Sequence, residues 1–383
     1  MDVKAARDDQ AAKEIAREAA DGESAALHEV LEPLSSSGLD HREKPTTVTN
    51  MLLLFINISL LAVGNAGGPL LTRLYYLQGG SRIWFTSLLL TGGWPIMLVP
   101  LFVSYFQRRR RRSISNNITS SSSSTSSTKF FLIGRRLFMA AAFVGVILGL
   151  DNFMYAYGLS KLPVSTASLI MSTQLMFNAV FAFLVVKQRF SPFSINSLFL
   201  LTLGAVVLGL HSTSDMPATE SRSKYILGFF ITLGCAALYG VMLPLLQLAY
   251  TKSENQNTYT HVIEVQTVMS ITATAFSAIG MAVNNDFQGV AREISAFGLG
   301  DVKYVVVVVS GAVMWQFFFL GLTGVVSCSS SLLAGVVEAA LLPTTQILAV
   351  IFFHEKFNAE KGISLALALW GLEFVELINV RTA

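Results

Sequence analysis

The stretch "MLLLFINISLLAVGNAGGPLLTRLYYLQGGSRIW", Met51–Trp84, decides the fold. Its first half is uncharged and apolar, like segments that cross a hydrocarbon layer of about 30 Å. Its second half holds Gly64, Asn65, Gly67, Gly68 and Pro69, then Arg73 and Arg82 flanking a "QGGS" turn. Glycine lets helices approach closely, and proline removes a backbone donor. Irregular backbone at membrane depth survives only when buried in protein or lining a wet pocket. The reading is therefore a first helix weakened where it meets a polar cavity, followed by a tight hairpin. The alternative is a glycine seam packed on a neighbouring helix, with no ligand.

Working outward, the chain of 383 residues is 52% hydrophobic and only 13% charged, whereas a soluble domain carries about 25% charged residues. Runs of membrane-spanning length recur at 50–72, 83–106, 131–155, 163–186, 194–211, 225–250, 261–283, 304–325, 328–353 and 362–380. They do not alternate as barrel strands would. The fold class is an all-α polytopic membrane protein with ten transmembrane helices. Cys235 and Cys328 fall inside apolar runs and the five histidines are scattered, so neither a disulfide framework nor a metal site is indicated.

The amino terminus, the even-numbered turns and the carboxyl terminus share one side and hold most of the 27 Lys and Arg, including the block Arg108–Arg112. By the positive-inside rule both termini are cytosolic. Residues 1–49 read as a largely disordered cytosolic tail, and 107–130 as a basic, Ser-rich disordered loop. "VSTAS" (164–168) leads the fourth span and "VSCSS" (326–330) the ninth; the spans close on "VVKQRF" and "FFHEKF". Copies five spans apart cross the membrane in opposite senses. Residues 50–211 and 225–380 are thus two inverted five-helix repeats, joined by a non-cytosolic linker at 212–224 and followed by a short tail at 381–383.

Polar groups inside spans are costly and usually face a bundle interior or cavity. The candidate substrate contacts are Asn65, Trp94, Tyr157, Gln174, Asn178, Gln266, Trp315, Gln316 and Gln346. Asp151, Glu264 and Glu338 are candidate proton-coupling groups, since a carboxyl held dry must be protonated or paired. Amides also bridge helices without any ligand, and Trp94 and Trp315 also suit an interfacial belt. No Lys or Arg sits near the centre of a span, which disfavours phosphorylated substrates. Amides and aromatic faces suit a flat nitrogen heterocycle. No nucleophile–base or metal pattern suggests an enzyme, and no cofactor is indicated.

Several segments together resemble the plant purine permease family of the drug/metabolite transporter superfamily: "GNAGGPLLTRLYYLQGGSRIW", "TGGWPIMLVPL", "GLDNFMYAYGLSKLPVSTASLIMSTQLMFNAVFAFLVVKQRF", "LYGVMLPLLQL", "WQFFFLG" and "AVIFFHEKFNAEKGISLALALWG". The resemblance spans roughly residues 50–371. It implies the drug/metabolite transporter fold and proton-coupled symport of purine nucleobases, cytokinins or related heterocycles by alternating access. Alternatives are a facilitative exchanger of the same superfamily or a carrier of alkaloids or vitamin B6 compounds. The implied location is the plasma membrane, or else the endoplasmic reticulum or vacuolar membrane. The implied partners are a small heterocycle such as adenine, protons and the bilayer, not nucleic acid. Two departures stand out: Gln346 occupies a position where the family usually has a carboxyl, and Glu338 lies about two turns earlier.

Overall fold

The structure is a computed structural model that describes residues 47–118, 132–186, 221–252 and 259–354, with a few isolated positions beyond. The described elements are helical: α1 Thr47–Leu77, α2 Ile83–Gly92, α3 Pro95–Ile118, α4 Arg135–Lys161, α5 Val164–Met171, α6 Gln174–Phe181, α7 Arg222–Thr251, α8 Tyr259–Val283, α9 Asp286–Ala296, α10 Asp301–Cys328 and α11 Ser331–Phe353. A short π-helical turn, Ala182–Val186, extends α6. Among the described residues, eight segments are long and apolar enough to cross a membrane. Six are single helices; α2 with α3, and α5 with α6 and its π turn, make the other two. These match eight of the ten expected spans. The fifth (194–211) and tenth (362–380) lie outside the described residues, as do the linker at 212–224 and most of the amino-terminal tail.

From Leu52 onward the helices belong to one compact unit, and its polarity is that of a membrane protein. Phe55, Phe143, Phe230, Ile279 and Phe352 are 63–69% exposed, while Asn57, Gln174, Gln266 and Gln316 are fully buried. Small residues set the internal packing. A Cβ on Gly145 would lie 2.6 Å from the Met269 carbonyl oxygen, and one on Gly149 would lie 2.9 Å from the Phe276 ring, so α4 meets α8 along a glycine face. Gly158 similarly abuts Thr232 on α7. Hydroxyl pairs tie α2 to α8: Ser87 with Ser277 at 2.8 Å and Thr274 with Thr91 at 3.1 Å.

The opening stretch behaves differently from the expectation. Helix α1 is not broken at the glycines; it runs through Pro69 to Leu77. Two neighbours explain this. Gly64, Gly67 and Gly68 let α10 lie directly on α1: a Cβ on Gly64 would collide with the Phe318 backbone, and one on Gly68 would lie 2.9 Å from the Trp315 ring. Pro69 has no N–H for the carbonyl of Asn65 four residues back, and Thr345 of α11 donates its hydroxyl to that carbonyl at 3.0 Å instead. The same device recurs between α2 and α3. Pro95 occupies the first position of α3, where proline is well tolerated, but cannot serve the Thr91 carbonyl. Gln316 of α10 donates to that carbonyl at 2.8 Å, beside the longer bond from the Trp94 N–H at 3.2 Å.

The hairpin after α1 is present. Gly79 takes the left-handed φ of +105° that the turn requires. Against it lies an element between the seventh and eighth expected spans: the amphipathic helix α9. Arg82 pairs with Asp286 at 3.1 Å, Ser81 donates its N–H to Glu293 at 3.2 Å, and the Tyr75 hydroxyl donates to the same carboxylate. Gly289 makes room for the guanidinium, since a Cβ there would sit 2.6 Å from Nη2 of Arg82.

Candidate functional site

Helices α1, α2, α4 and α5 and helices α7, α10 and α11 together enclose a chamber of about 500 Å³, counting its opening. Helix α4 contributes Asp151, Asn152 and Tyr155; α10 contributes Trp315, Phe318 and Phe319; α11 contributes Glu338, Leu342 and Thr345. Asn65 and Pro69 of α1, Ser168 and Met171 of α5, Leu90 of α2 and Tyr239 of α7 complete the lining. No Lys or Arg is among these residues.

One wall is aromatic. Trp315 meets Tyr155 edge-on at 5.4 Å and 82°, and Phe318 at 5.4 Å and 77°. Its indole N–H donates to Thr72 at 3.1 Å, and its ring lies over Gly68. The ring orientation is therefore fixed by α1, on the side of the glycine seam. The facing wall carries two carboxyls, Asp151 and Glu338, only 5% and 4% exposed. Asp151 accepts from the Cys235 thiol at 3.2 Å. One oxygen of Glu338 has no hydrogen-bond partner. Glu338, Leu342 and Thr345 line the chamber together because positions three and four apart share a helix face.

Of the residues expected at the site, Asn65, Trp315, Asp151 and Glu338 meet in this chamber. Gln174 is fully buried, and its side chain lies beside Glu338. Others are placed as helix bridges. Asn178 donates to the Ser331 carbonyl at 2.9 Å. Gln266 donates to Ser270 at 2.9 Å and accepts from Thr323 at 2.7 Å. Gln316 closes the α2–α3 break. Trp94, Tyr157 and Gln346 do not line the chamber. Glu264 does not line it either. Its carboxylate accepts the N–H groups of Leu132 and Ile133, each at 2.9 Å, where the chain enters α4. Both residues precede the Gly134 N-cap, so the carboxylate anchors the segment that leads into α4.

The chamber also contains residues the sequence inventory passed over. Asn152 adjoins Asp151, Tyr239 lies in "LYGVMLPLLQL", and Phe318 and Phe319 lie in "WQFFFLG". A tyrosine in mid-span beside Gly240, more than three turns along the helix from Lys224 or Lys252, was the available signal for Tyr239.

Comparison with known proteins bears on this geometry. Residues 52–376 match the family described as "Purine nucleobase transmembrane transport". The chain belongs to the plant purine permease family. It is 51% identical over 331 residues to Purine permease 2 of Arabidopsis thaliana, spanning 84% of this chain and 90% of the relative. It is 49% identical over 319 residues to Purine permease 3 of the same plant, spanning 83% and 88%. To Probable purine permease 5 it is 33% identical over 324 residues, 84% of each chain. These relatives are named as permeases, not enzymes, and the matched region takes in each chamber-lining residue.

Proposed function

We propose that this chain is a secondary carrier of purine nucleobases and related flat nitrogen heterocycles, driven by protons and working by alternating access between two inverted five-helix halves. The observation that carries the proposal is the chamber's composition. It has an aromatic wall, two nearly buried carboxyls and no cation, and residues on both sides of the 212–224 linker build it. The names of the relatives support the purine assignment.

In this reading the heterocycle packs against Trp315 and Tyr155 and turns its polar edge towards α4 and α11. With no Lys or Arg in the lining, the charge of Asp151 and Glu338 is balanced by protons or by donors on the ligand. A proton bound at either carboxyl removes a charge from a low-dielectric site and makes the next binding step cheaper. Release of that proton on the far side resets the carrier. The membrane proposed is the plasma membrane, with both termini cytosolic.

The test is uptake of labelled adenine into cells expressing the full chain, with and without an uncoupler, for Asp151→Asn and Glu338→Gln. The expected result is loss of uncoupler-sensitive accumulation in at least one variant, with adenine exchange retained. Normal accumulation in both variants removes the proton role from this pair. Accumulation that ignores the uncoupler in the unmodified protein makes it an exchanger.

A further inference from the structure

Buried polar atoms are almost always hydrogen-bonded, so a cluster that is not bonded calls for a partner. One such cluster stands at the chamber wall, where Tyr239 and Glu338 line the chamber and Gln174 lies beside Glu338. Tyr239 Oη, Glu338 Oε2 and both amide atoms of Gln174 lack hydrogen-bond partners. The three residues are 3%, 4% and 0% exposed. They come from α7, α11 and α6, and the side chains of Tyr239 and Gln174 flank the Glu338 carboxyl. Gln174 is distinctive: Asn152, Asn178, Gln316 and Gln346 each show one unpartnered amide atom, whereas Gln174 shows two.

The same three helices are tied together close by. One turn along α6 from Gln174, Asn178 fastens the three helices together. It donates to Ser331 of α11. A Cβ on Gly335 of α11 would lie 2.5 Å from its amide nitrogen, and one on Gly240 of α7 would lie 2.7 Å from its backbone nitrogen. Asn178 and the two glycines thus fix the three helices that carry Gln174, Tyr239 and Glu338.

We propose that Tyr239 is a specificity-determining residue of the chamber: with Gln174 and Glu338 it forms a reading edge that a flat heterocycle completes only if it presents a hydrogen-bond acceptor beside a donor. This rests on the chamber being the substrate site, as argued above. Tyrosine and the amide each offer a donor and an acceptor, so the edge matches a ring nitrogen next to an amino group. It penalises a bicyclic ring lacking those groups, because the protein's own atoms then remain unpaired.

The experiment is a ligand-by-residue cycle in the full-length protein, with adenine and benzimidazole competing against labelled adenine uptake. The unmodified protein is expected to favour adenine at least tenfold. Tyr239→Phe should compress that preference about fivefold or more while moving benzimidazole affinity less than twofold, and Gln174→Leu should do the same. An unchanged preference ratio, or an equal loss for both ligands, overturns the proposal. Trp315→Leu separates this failure from failure of the site itself. If Trp315→Leu weakens both ligands while Tyr239→Phe leaves the ratio intact, only the reading edge is wrong. If neither variant changes anything, the chamber is not the substrate site and both readings fall.

Discussion

Replacing Thr345 with valine exchanges one hydroxyl for a methyl and tests how α1 survives its proline. The hydroxyl donates to the Asn65 carbonyl at 3.0 Å and accepts from Asn65 Nδ2 at 3.3 Å. Pro69 leaves that carbonyl without its usual helical donor, and Thr345 and Asn65 are 1% and 5% exposed. A buried group stripped of its partner costs about 1–3 kcal/mol. The longer amide contact contributes less, so Thr345→Val should destabilise by about 2 kcal/mol. Thermal unfolding of the detergent-purified protein, followed by size-exclusion chromatography after heating, measures the loss. The decisive control is Pro69→Ala, which restores a backbone N–H to the Asn65 carbonyl. In that background Thr345→Val should cost roughly half as much or less, a coupling of about 1 kcal/mol, within the range for residues in contact. An equal loss with and without Pro69 would refute the idea that Thr345 stands in for the missing backbone bond.

Three other outcomes follow from the same packing. Gln266→Leu leaves Thr323 and Ser270 without their amide partner and should lower thermal stability by about 1–2 kcal/mol while leaving the KM for adenine within twofold. Gly64→Ala drives a methyl into the Phe318 backbone and to 2.7 Å from the Met314 carbonyl oxygen; overpacking of this kind costs about 1–3 kcal/mol, and the recovered yield of folded protein should fall accordingly, whereas Gly134→Ala, with open space around it, should not change it. The sequon Asn117-Ile118-Thr119 follows the Arg108–Arg112 block and should carry no glycan when the protein is made in plant or yeast cells; a glycosidase-sensitive shift in mobility would invert the proposed topology.

The spans were legible because composition and length alone specify them: a run such as Val305–Val309 in α10 has no alternative but lipid or core. The chamber was legible in part for the same reason. Asp151 and Glu338 stand out in their apolar context, and the Glu338–Leu342–Thr345 spacing places three residues on one face. What sequence did not reveal is which amides bridge and which stay free. Gln266, Gln316 and Gln174 are equally polar and equally buried, yet the first two are bonded to Thr323 and Thr91 and the third is not. That difference depends on which helix lies opposite, a tertiary property. The glycines of Gly64–Gly68 posed a similar ambiguity. Their seam and the cavity proved to occupy two faces of one continuous helix, because a hydroxyl 280 positions away supplies the bond that proline withholds. Helix α9 was missed because a search for long apolar runs passes over a helix of 11 residues whose signal is amphipathic periodicity; its anchors, Asp286 and Glu293, mean little until Arg82 is placed against them.

The central claim concerns where the ligand sits. A density map of the full-length protein at saturating adenine, compared with one recorded without it, tests this directly. The account predicts one new planar feature in the chamber, packed on Trp315 and Tyr155 with its polar edge towards Glu338. New density confined to another part of the molecule, with this chamber unchanged, would contradict it.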